Sequence, residues 1–391
     1  MKKIWSDSIT RSCVITALLS KVGVTLVFAF YATFLLHNGL NQLGVSWVNC
    51  VFFITLFIFE IPTGALADVI GYKKSIVIAS VISSIGMFVY AASHSFSGFA
   101  LAEGFVAFGG TLYSGAFSAW LHNQLEREGR VNEQRKILSL SNMCDQCAWL
   151  MCGLLGILLT RWGEFLPFVV GGFCYLICAV YTGIAMNEIK SENQPLKNVF
   201  LKVRVGMKYA RTHQAIRTLF LVSLVQTAGI VGVNTQWQPR FEPLLPSQIW
   251  IGGLSVLMPL GVLTGNYIAR HREIHDSGKV IAVSELTIGL GVLVAGFSHS
   301  LPLILIAFVV HEVGRGFYNP VKQAFLNRCI TDSETRATVI SCEALSRDIG
   351  GMIGNPITGA IALHSSIPIT WMICGVAIIS VIVVIPGRLR C

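Results

Sequence analysis

Charged side chains occur inside the long apolar segments of this sequence, where an isolated charge is costly. At the centre of a bilayer the cost is roughly 2.5–3.5 kcal/mol even on insertion scales, so each charge needs a partner or a water-filled cavity. A buried carboxylate can accept and release a proton, and a buried cation can bind an anionic group. The pattern therefore predicts proton carriage and solute binding. The residues concerned are Lys21, Glu60, Glu103, Asp145, Glu285, Glu312, Arg315, Lys322, Glu343, Arg347 and Asp348.

Four of these carboxylates are candidates to carry a proton. Glu103 comes first, because no cation lies three or four residues from it along a helix. Asp145, Glu312 and Asp348 follow. The alternative interpretation of Glu103 is structural, as a carboxyl group that is hydrogen-bonded to a neighbouring helix.

Two acid–base pairs have a structural interpretation that requires no function. Glu312 and Arg315 are three residues apart, and Glu343 and Arg347 are four apart, so each pair can meet on one helix face. The stretch 312–322 is harder to explain in this way, because its polar residues follow helical spacing and form a stripe. A stripe of this kind is too costly to face lipid, so we expect it to face a central cavity.

The composition determines the class of protein that must position these residues. Of the 391 residues, 53% are apolar and 13% are charged, whereas soluble domains carry about a quarter charged residues. Twelve helices of about 20 residues, the length that spans a bilayer, would use roughly 240 residues and leave short loops. The expected fold class is an all-α membrane protein. A soluble globular enzyme, a disordered chain and a fibrous protein are excluded.

Apolar segments of spanning length recur twelve times along the chain. Six lie in an N-terminal half, 1–186, and six in a C-terminal half, 214–391, with a polar linker at 187–213. Spans 4, 5, 10 and 11 carry enough charge for hydropathy alone to miss them. The predicted spans are 12–36, 42–64, 75–94, 97–122, 138–159, 164–186, 214–238, 247–269, 279–298, 301–326, 337–363 and 367–386.

Lysine and arginine are distributed unevenly between the two sides of these spans. Placing the N-terminus in the cytoplasm assigns 23 of the 29 to cytoplasmic segments, two to outer loops and four to spans. Basic loops stay in the cytoplasm, so both termini are expected there, in a multi-pass protein of the plasma (inner) membrane. The net charge of +9 then reports topology, and no nucleic-acid partner is predicted. The basic linker is expected to form an amphipathic cytoplasmic helix that lies against anionic lipid.

Short matches at a constant offset indicate an internal repeat. Thr63-Gly64 recurs as Thr264-Gly265, and Glu133-x-Arg135 recurs as Glu334-x-Arg336, in both cases 201 residues later. This offset is the length of one six-helix half plus the linker. A duplicated six-span unit with a site between its halves is typical of secondary transporters.

A glycine-rich, charged motif lies between spans 2 and 3. It reads Gly64-x-Leu-x-Asp68-x-x-Gly71-x-Lys73-Lys74 and follows directly on Glu-Ile-Pro-Thr. Gly64 and Gly71 allow a close helix approach and a tight turn. Asp68 can accept from a helix N-terminus or pair with a cation, and the lysines lie on the anionic-lipid side. The motif resembles the loop 2–3 signature of the major facilitator superfamily, in the branch with the Glu-Ile-Pro-Thr-Gly run.

The resemblance implies a fold of twelve helices in two six-helix pseudo-repeats that works by alternating access. The loop motif, Gly64, Asp68, Gly71, Lys73 and Lys74, would then act as a cytoplasmic gating latch. Spans 1, 4, 7 and 10 line the substrate cavity in this family. The residues that this places in the cavity are Lys21, Tyr113, Trp120, Gln226, Asn234, Arg315 and Lys322. Spans 1 and 5 are neighbours in the family, which implies that Asp145 pairs with Lys21.

Two departures from the family pattern affect these expectations. The second copy of the loop motif has Ala269 where Asp68 would align, so the latch would be asymmetric between the halves. Span 5 lacks the Gly-Pro signature that is typical of drug/proton antiporters, and a Gly-Asn-Pro-x-x-Gly element occurs in span 11 at 354–359. The second departure weakens the case for drug:proton antiport.

The expected function is secondary active transport, not enzymatic catalysis, with export of a small drug- or antibiotic-like organic compound by proton antiport. The sequence has no Walker-type nucleotide motif, and we expect a functional monomer without a cofactor. Cys144-x-x-Cys147 is explained by packing and His271-x-x-x-His275 by a solvated loop, so no metal site is predicted. One alternative is a dedicated exporter or importer of an anionic metabolite such as a carboxylate siderophore. An alternative of another class is a membrane sensor that transports nothing.

Overall fold

Twelve long helices account for most of the described chain. The structure, a computed structural model, describes residues 7–188, 208–209, 211–272, 276–330, 333–385 and 389, without the side chains of 333–335 and 337. The predicted linker 187–213 therefore lies largely outside the described residues. The helices are α1 (Ser8–Phe28), α2 (Gln42–Ile70), α3 (Tyr72–Ala92), α4 (Phe96–Arg127), α5 (Gln134–Leu159), α6 (Leu166–Ala185), α7 (Gln214–Phe241), α8 (Ile249–His271), α9 (Ser277–Phe297), α10 (Leu301–Cys329), α11 (Ser333–His364) and α12 (Ile367–Ser380).

Short helical pieces lie between some of the long helices. A helix at Tyr31–His37 continues α1 after a break at Phe30, whose φ of −132° is not helical. Single 3₁₀ turns occur at Val131–Glu133, Glu242–Leu244 and Val381–Val384. The predicted span 12–36 is thus two helices.

Ten helical segments among the described residues are long and apolar enough to cross a membrane. The all-α membrane fold predicted from the sequence is confirmed. The expectation that hydropathy would miss the charged spans is correct for α4 and α11 and wrong for α5 and α10. The four charges of α10 are spread over 29 residues, so a stretch of 18 residues with no more than two of them remains apolar enough to cross a membrane.

Several helices extend beyond the spans predicted from hydropathy. Helix α2 ends at Ile70 instead of 64, and α4 ends at Arg127 instead of 122. The added turns carry charged and small residues, which lower hydropathy without preventing helix formation. Hydropathy measures the apolar part of a helix, and these helices continue beyond it.

The two halves of the chain pack their helices in the same order. Helix α1 packs against α5 and α6, and α3 packs against α4 and α6. Six helices later, α7 packs against α11 and α12, and α9 packs against α10 and α12. The sequence repeat therefore has a structural counterpart.

A pair of glycines recurs at the repeat offset. Where α2 crosses α4, a Cβ on Gly115 would lie 3.2 Å from Gly64 Cα. At positions 201 residues later, Gly265 and Gly316 face each other where α8 crosses α10, and a Cβ on either would overlap the backbone of the opposite helix. At the second crossing only hydrogen fits between the backbones, whereas at the first a Cβ on Gly115 would be tight and the space beside Gly64 is open.

Backbone contacts divide the chain into two compact units. The first contains Met1–Gly39, Thr55–Leu196 and Ser247–Val256, and the second contains Leu40–Ile54, Lys197–Pro246 and Leu257–Cys391. In the second unit the Phe53 ring of α2 fills the space beside Gly351 of α11. In the first unit Ser255 of α8 packs on Gly153 of α5. Each unit therefore includes the beginning of one helix from the other half of the sequence.

The start of α1 is attached to the loop between α4 and α5 by a charged contact. Asp7 caps α1, because its carboxylate accepts from the Thr10 backbone N–H at 3.2 Å. Arg130 donates to both carboxylate oxygens of Asp7, at 3.2 and 3.1 Å, and also contacts Glu128 and Glu133. The Arg130 guanidinium holds the pKa of Asp7 at about 2, below its usual 3.8.

We predict that Asp7→Asn lowers stability at neutral pH and that this difference disappears in acid. The folded-state pKa of Asp7 is depressed, so its contribution is present above 3.8 and is lost as the pH falls through about 2. Because Asp7 and Arg130 are partly exposed and solvent screens their interaction, the contribution to stability should be about 1 kcal/mol. The measurement is thermal unfolding of the purified protein in detergent across this pH range.

The control is Asp276→Asn, since Asp276 caps α9 but lies 3.7 Å from the exposed Lys279. Its substitution should have the smaller effect at neutral pH. Equal effects of the two substitutions at every pH would show that the Arg130 contact does not stabilise the fold.

Candidate functional site

The glycine-rich motif forms a sharp corner between α2 and α3. Helix α2 continues through Gly64 and Asp68 to Ile70, so that Gly71 alone separates the two helices. The φ of Gly71 is 101°, in the region that favours glycine. Across this corner, Asp68 Oδ1 accepts a 2.8 Å hydrogen bond from the Tyr72 hydroxyl. Asp68 is thus bound by a tyrosine at the start of α3.

Glu188, which no sequence pattern singled out, caps the start of α3. Its carboxylate accepts from the backbone N–H of Lys73 at 3.2 Å and of Lys74 at 3.3 Å. The same carboxylate occupies the space that a side chain at Gly71 would need. The first N–H groups of a helix need acceptors, and a glycine cap has no side chain to supply one. The sequence indicates this need but not its partner, since Glu188 lies 115 residues beyond Lys73.

A buried carboxyl group with two phenol neighbours lies in the first unit. Glu103, in α4, is 7% exposed, and its Oε2 accepts from the hydroxyls of Tyr90 and Tyr31, the latter at 3.4 Å. The Tyr90 ring is held by stacking on Phe99 and Phe168. Among the described residues no cation contacts this carboxyl. A carboxyl with only neutral neighbours can hydrogen-bond to them in either protonation state.

Lys21 and Asp145 lie where α1 packs against α5. The Lys21 ammonium is 5.3 Å from the centroid of the Trp149 ring, and the lysine and the aspartate attract each other electrostatically. Within the described part of the chain the two charges do not reach ion-pair distance, and Asp145 Oδ1 is buried without a hydrogen-bond partner. The hydroxyl of Tyr113, in α4, is also buried in this region, and its ring stacks on Phe117 at 5.0 Å.

Trp120 lies in an apolar cluster of the first unit. It is 1% exposed within an apolar cluster that includes Ile9, Tyr72 and Leu125. Its indole N–H donates to the carbonyl oxygen of Asn187 at 2.9 Å. Trp120 therefore packs near the Gly71 corner, and Tyr113 packs against the same apolar cluster.

The second unit contains a charged group halfway along α10. Arg315 Nη1 donates to Glu312 at 3.1 Å and to Asn234 Oδ1 of α7 at 3.2 Å. Glu312 is 1% exposed, whereas 27% of the Arg315 side chain is exposed. His311, another residue that the sequence did not indicate, is fully buried 3.7 Å from Glu312. The Glu312–Arg315 pair expected from helical spacing does form, and Asn234 joins it from another helix.

Lys322 forms a buried ion pair between α10 and α11. Its Nζ lies 2.8 Å from Glu343 Oε1, and Arg347 Nε lies 3.2 Å from Glu343 Oε2. Helical spacing predicts the contact between Glu343 and Arg347, but the partner from α10 depends on tertiary packing. Gln226 and Asp348, two other candidate residues, are buried in α7 and α11.

The arrangement supports binding and proton exchange better than covalent chemistry. Among the described residues no group of three or more histidine, cysteine or acidic side chains is placed to hold a metal ion. His275 lies outside those residues. The groups that can exchange a proton or bind a charged solute are distributed over the helices of each unit.

We predict that Gly71→Ala destabilises the corner in two ways. Alanine at this φ stores about 1–3 kcal/mol of backbone strain. Its methyl group must also displace Glu188, and losing a helix cap costs about 0.5–2 kcal/mol. The measurement is the thermal unfolding of the purified protein.

Gly39→Ala is the matched control, because Gly39 has a similar φ of 89° but open space where the Cβ would lie. It should show the strain alone and unfold at a higher temperature than Gly71→Ala. Equal losses at the two positions would mean that Glu188 contributes nothing to the corner.

Comparison with known proteins identifies relatives of the same fold. The nucleoside transporter NupG superposes with a TM-score of 0.82, at 13% identity over 98% of this chain and 99% of NupG. A bacterial homolog of the human lysosomal transporter Spinster superposes with a TM-score of 0.75, at 14% identity over 97% and 95% of the two chains. A POT family transporter in complex with 5-aminolevulinic acid gives 0.74, at 14% identity over 96% and 94%. At these identities the likeness establishes the fold alone.

A curated relative and a family model add evidence from the sequence. An uncharacterized transporter, BU466, of Buchnera aphidicola (subsp. Acyrthosiphon pisum, strain APS) is 25% identical over 256 residues, which is 61% of this chain and 64% of the length of that relative. The model of the Major Facilitator Superfamily matches residues 13–274 and 249–389. The loop motif predicted this result, and the chain belongs to the major facilitator superfamily of membrane transporters, which are not enzymes.

Proposed function

We propose that this transporter exports a small organic compound in exchange for protons. The observation that carries the proposal is the Glu103 carboxyl, buried in α4 and hydrogen-bonded to the hydroxyls of Tyr31 and Tyr90. Drug and antibiotic export is the commonest role in the branch that the Glu-Ile-Pro-Thr-Gly run resembles, which favours export over import. Nucleosides and 5-aminolevulinic acid, named for transporters of this fold, are small organic solutes.

Glu103 suits proton carriage better than Glu312 does. Glu312 lies 3.1 Å from Arg315, so protonation of Glu312 would leave the Arg315 guanidinium without its ion-pair partner. Glu103 has only phenol neighbours among the described residues, so protonation exchanges one hydrogen-bond pattern for another. Asp145 and Asp348, the other candidates, are placed second because each has a charged residue near it on its own or a neighbouring helix.

Arg315 is the proposed binding group for a polar or anionic part of the solute. It lies in the middle of α10, at a depth where a cation facing lipid is prohibitively costly. The exposed 27% of its side chain is therefore assigned to a water-filled path. Glu312 and Asn234 hold one edge of the guanidinium, which leaves its other donors for a ligand.

The proposed topology follows the distribution of basic residues. Both termini and the Gly71 corner are placed in the cytoplasm, since 23 of the 29 lysines and arginines then lie on that side or in its loops. The halves 1–186 and 214–391, joined by the linker 187–213, would be the parts that move during transport. The plasma (inner) membrane is the proposed location, with a single chain as the working unit.

We expect Glu103→Gln to abolish the response of transport to a proton gradient. The amide cannot bind and release a proton, but it can keep the hydrogen bonds to the two tyrosines. The measurement is the accumulation of a panel of fluorescent drugs in inside-out vesicles with an acidic interior. Exchange of labelled for unlabelled solute without a gradient should continue.

Glu126→Gln serves as the control, because Glu126 is an exposed residue near the end of the same helix. It should leave both activities unchanged. Full response of Glu103→Gln to the gradient would remove Glu103 from the proposal. A ligand that binds the unmodified protein without any exchange would favour the sensor hypothesis.

We expect Arg315→Gln to weaken the binding of anionic solutes and to leave the binding of neutral solutes nearly unchanged. A charged hydrogen bond contributes about 1.5–3 kcal/mol, so the KM for an anionic solute should rise about tenfold or more. The KM for neutral solutes should change little. The comparison uses carboxylates, including siderophore-like ones, and neutral drugs in the same vesicles.

Lys322→Gln is the control. It removes the same positive charge as Arg315→Gln, but from a side chain that is only 7% exposed and already bound by Glu343. Its effect should not depend on the charge of the solute. If Arg315→Gln transported anionic and neutral solutes equally well, Arg315 would not be the binding group. If the unmodified protein transported only solutes that carry a carboxylate, the alternative function as a dedicated carrier of an anionic metabolite would be favoured instead.

A further inference from the structure

Glu285 is a buried carboxyl group that the proposed transport cycle does not use. It lies in α9 and has no exposed surface. Neither of its oxygens has a hydrogen-bond partner among the described residues. Burying an ionised carboxylate without a partner is far more costly than burying the neutral acid. The surroundings in this structure therefore suit Glu285 with its proton attached.

Polar groups of α7 and α10 lie next to Glu285, and α11 adds charges that interact with them. Helix α12, which also packs against α9, has no charged residue. The groups that interact with Glu285 itself are Gln226 of α7 and Tyr318 and Lys322 of α10. Beyond them, Ser223 of α7 and Glu343 and Arg347 of α11 interact with Tyr318 or Lys322.

Two buried donors in this set make no hydrogen bond of good geometry in the present arrangement. Gln226 Nε2 lies near Glu285 and the Tyr318 hydroxyl lies near Ser223, but neither is aligned with an acceptor among the described residues. Unsatisfied buried donors are destabilising. An ionised Glu285 would offer acceptor oxygens to both. The donors are thus already in place for the second charge state of Glu285.

The ion pair beside Glu285 has one cation in excess. Lys322 and Arg347 both bind Glu343, at 2.8 and 3.2 Å. Lys322 also interacts electrostatically with Glu285. Its four-carbon stem is flexible and its ammonium group can rotate. If Lys322 turned to an ionised Glu285, Arg347 would keep Glu343 paired, and each carboxylate would have one cation.

We propose that Glu285 is a second proton-binding site and that Lys322 changes its ion-pair partner with the protonation of that site. When Glu285 is protonated, Lys322 pairs with Glu343, as in this structure. When the O–H bond breaks, the proton passes to water and the electron pair remains on the carboxylate, which then binds Lys322. The charged link of α10 thereby moves from α11 to α9. The role of this exchange in transport rests on the proton coupling proposed above.

Infrared difference spectroscopy of the purified protein in lipid tests the exchange without any transport. A protonated carboxylic acid has its own carbonyl band, and a Glu103→Gln background removes the contribution of the first proton site. In that background Glu285→Gln should abolish one further carbonyl band. Glu343→Gln should release Lys322 to Glu285, where the cation stabilises the carboxylate. Glu285 should then lose its proton, and the carbonyl band should disappear, at lower pH than in the background protein.

Lys322→Gln gives the opposite shift and guards against a misfolded Glu343→Gln protein. With no cation to move to it, Glu285 should keep its carbonyl band to higher pH than in the background protein. Glu126→Gln is the control that should leave the spectrum unchanged. An unaltered spectrum in Glu285→Gln would show that Glu285 is already ionised and would overturn the proposal. Unaltered titration in both Glu343→Gln and Lys322→Gln would also overturn it.

The infrared result and the transport result are independent. If Glu103→Gln still responds to the gradient but the carbonyl bands shift as described, the proton site at Glu285 stands and the role of Glu103 fails. If the bands do not shift but Glu103→Gln loses its response, only the inference about Glu285 and Lys322 fails.

Discussion

The free energy of a charge inside hydrocarbon constrains every polar residue in this transporter. Because water cannot solvate such a charge there, it must be paired, hydrogen-bonded or left beside a water-filled path. Arg315 is held by Glu312 and Asn234 and keeps part of its surface exposed. Lys322 is enclosed by its ion pair with Glu343.

The buried carboxyl groups differ in whether a cation lies beside them, and this determines whether they can change charge. Glu312 and Glu343 have cations within 3.2 Å, so neutralising either would leave a buried cation without its partner. Glu103 is surrounded by neutral donors, and Glu285 has no hydrogen-bond partner in the described part of the chain. Glu312 and Glu343 are therefore suited to a structural role. Glu103 and Glu285 are suited to proton exchange, because protonating either of them leaves no buried cation without its partner.

The internal repeat links the sequence to the packing. The same 201-residue offset relates the Thr-Gly dipeptides, the glycine crossings at Gly64 and Gly265, and the pairing of each helix with its neighbours. Apart from the Glu-x-Arg match at 133 and 334, the charged residues discussed above do not follow the repeat. Asp68 has Ala269 as its counterpart, and Arg315 corresponds to Ser114. Backbone packing is thus duplicated, whereas the groups available for chemistry are specific to each unit.

Local patterns determined the class of fold, the number of long helices, the Gly71 corner and the pairing of Glu312 with Arg315, because hydropathy, glycine and helical spacing act over a few residues. The partners that act across helices were decided by the tertiary structure. Glu188 caps α3 from 115 residues away, Tyr31 and Tyr90 meet Glu103 from two other helices, and Lys322 reaches Glu343 on α11. Sequence spacing carries no record of such contacts, since they depend on how helices are rotated and packed.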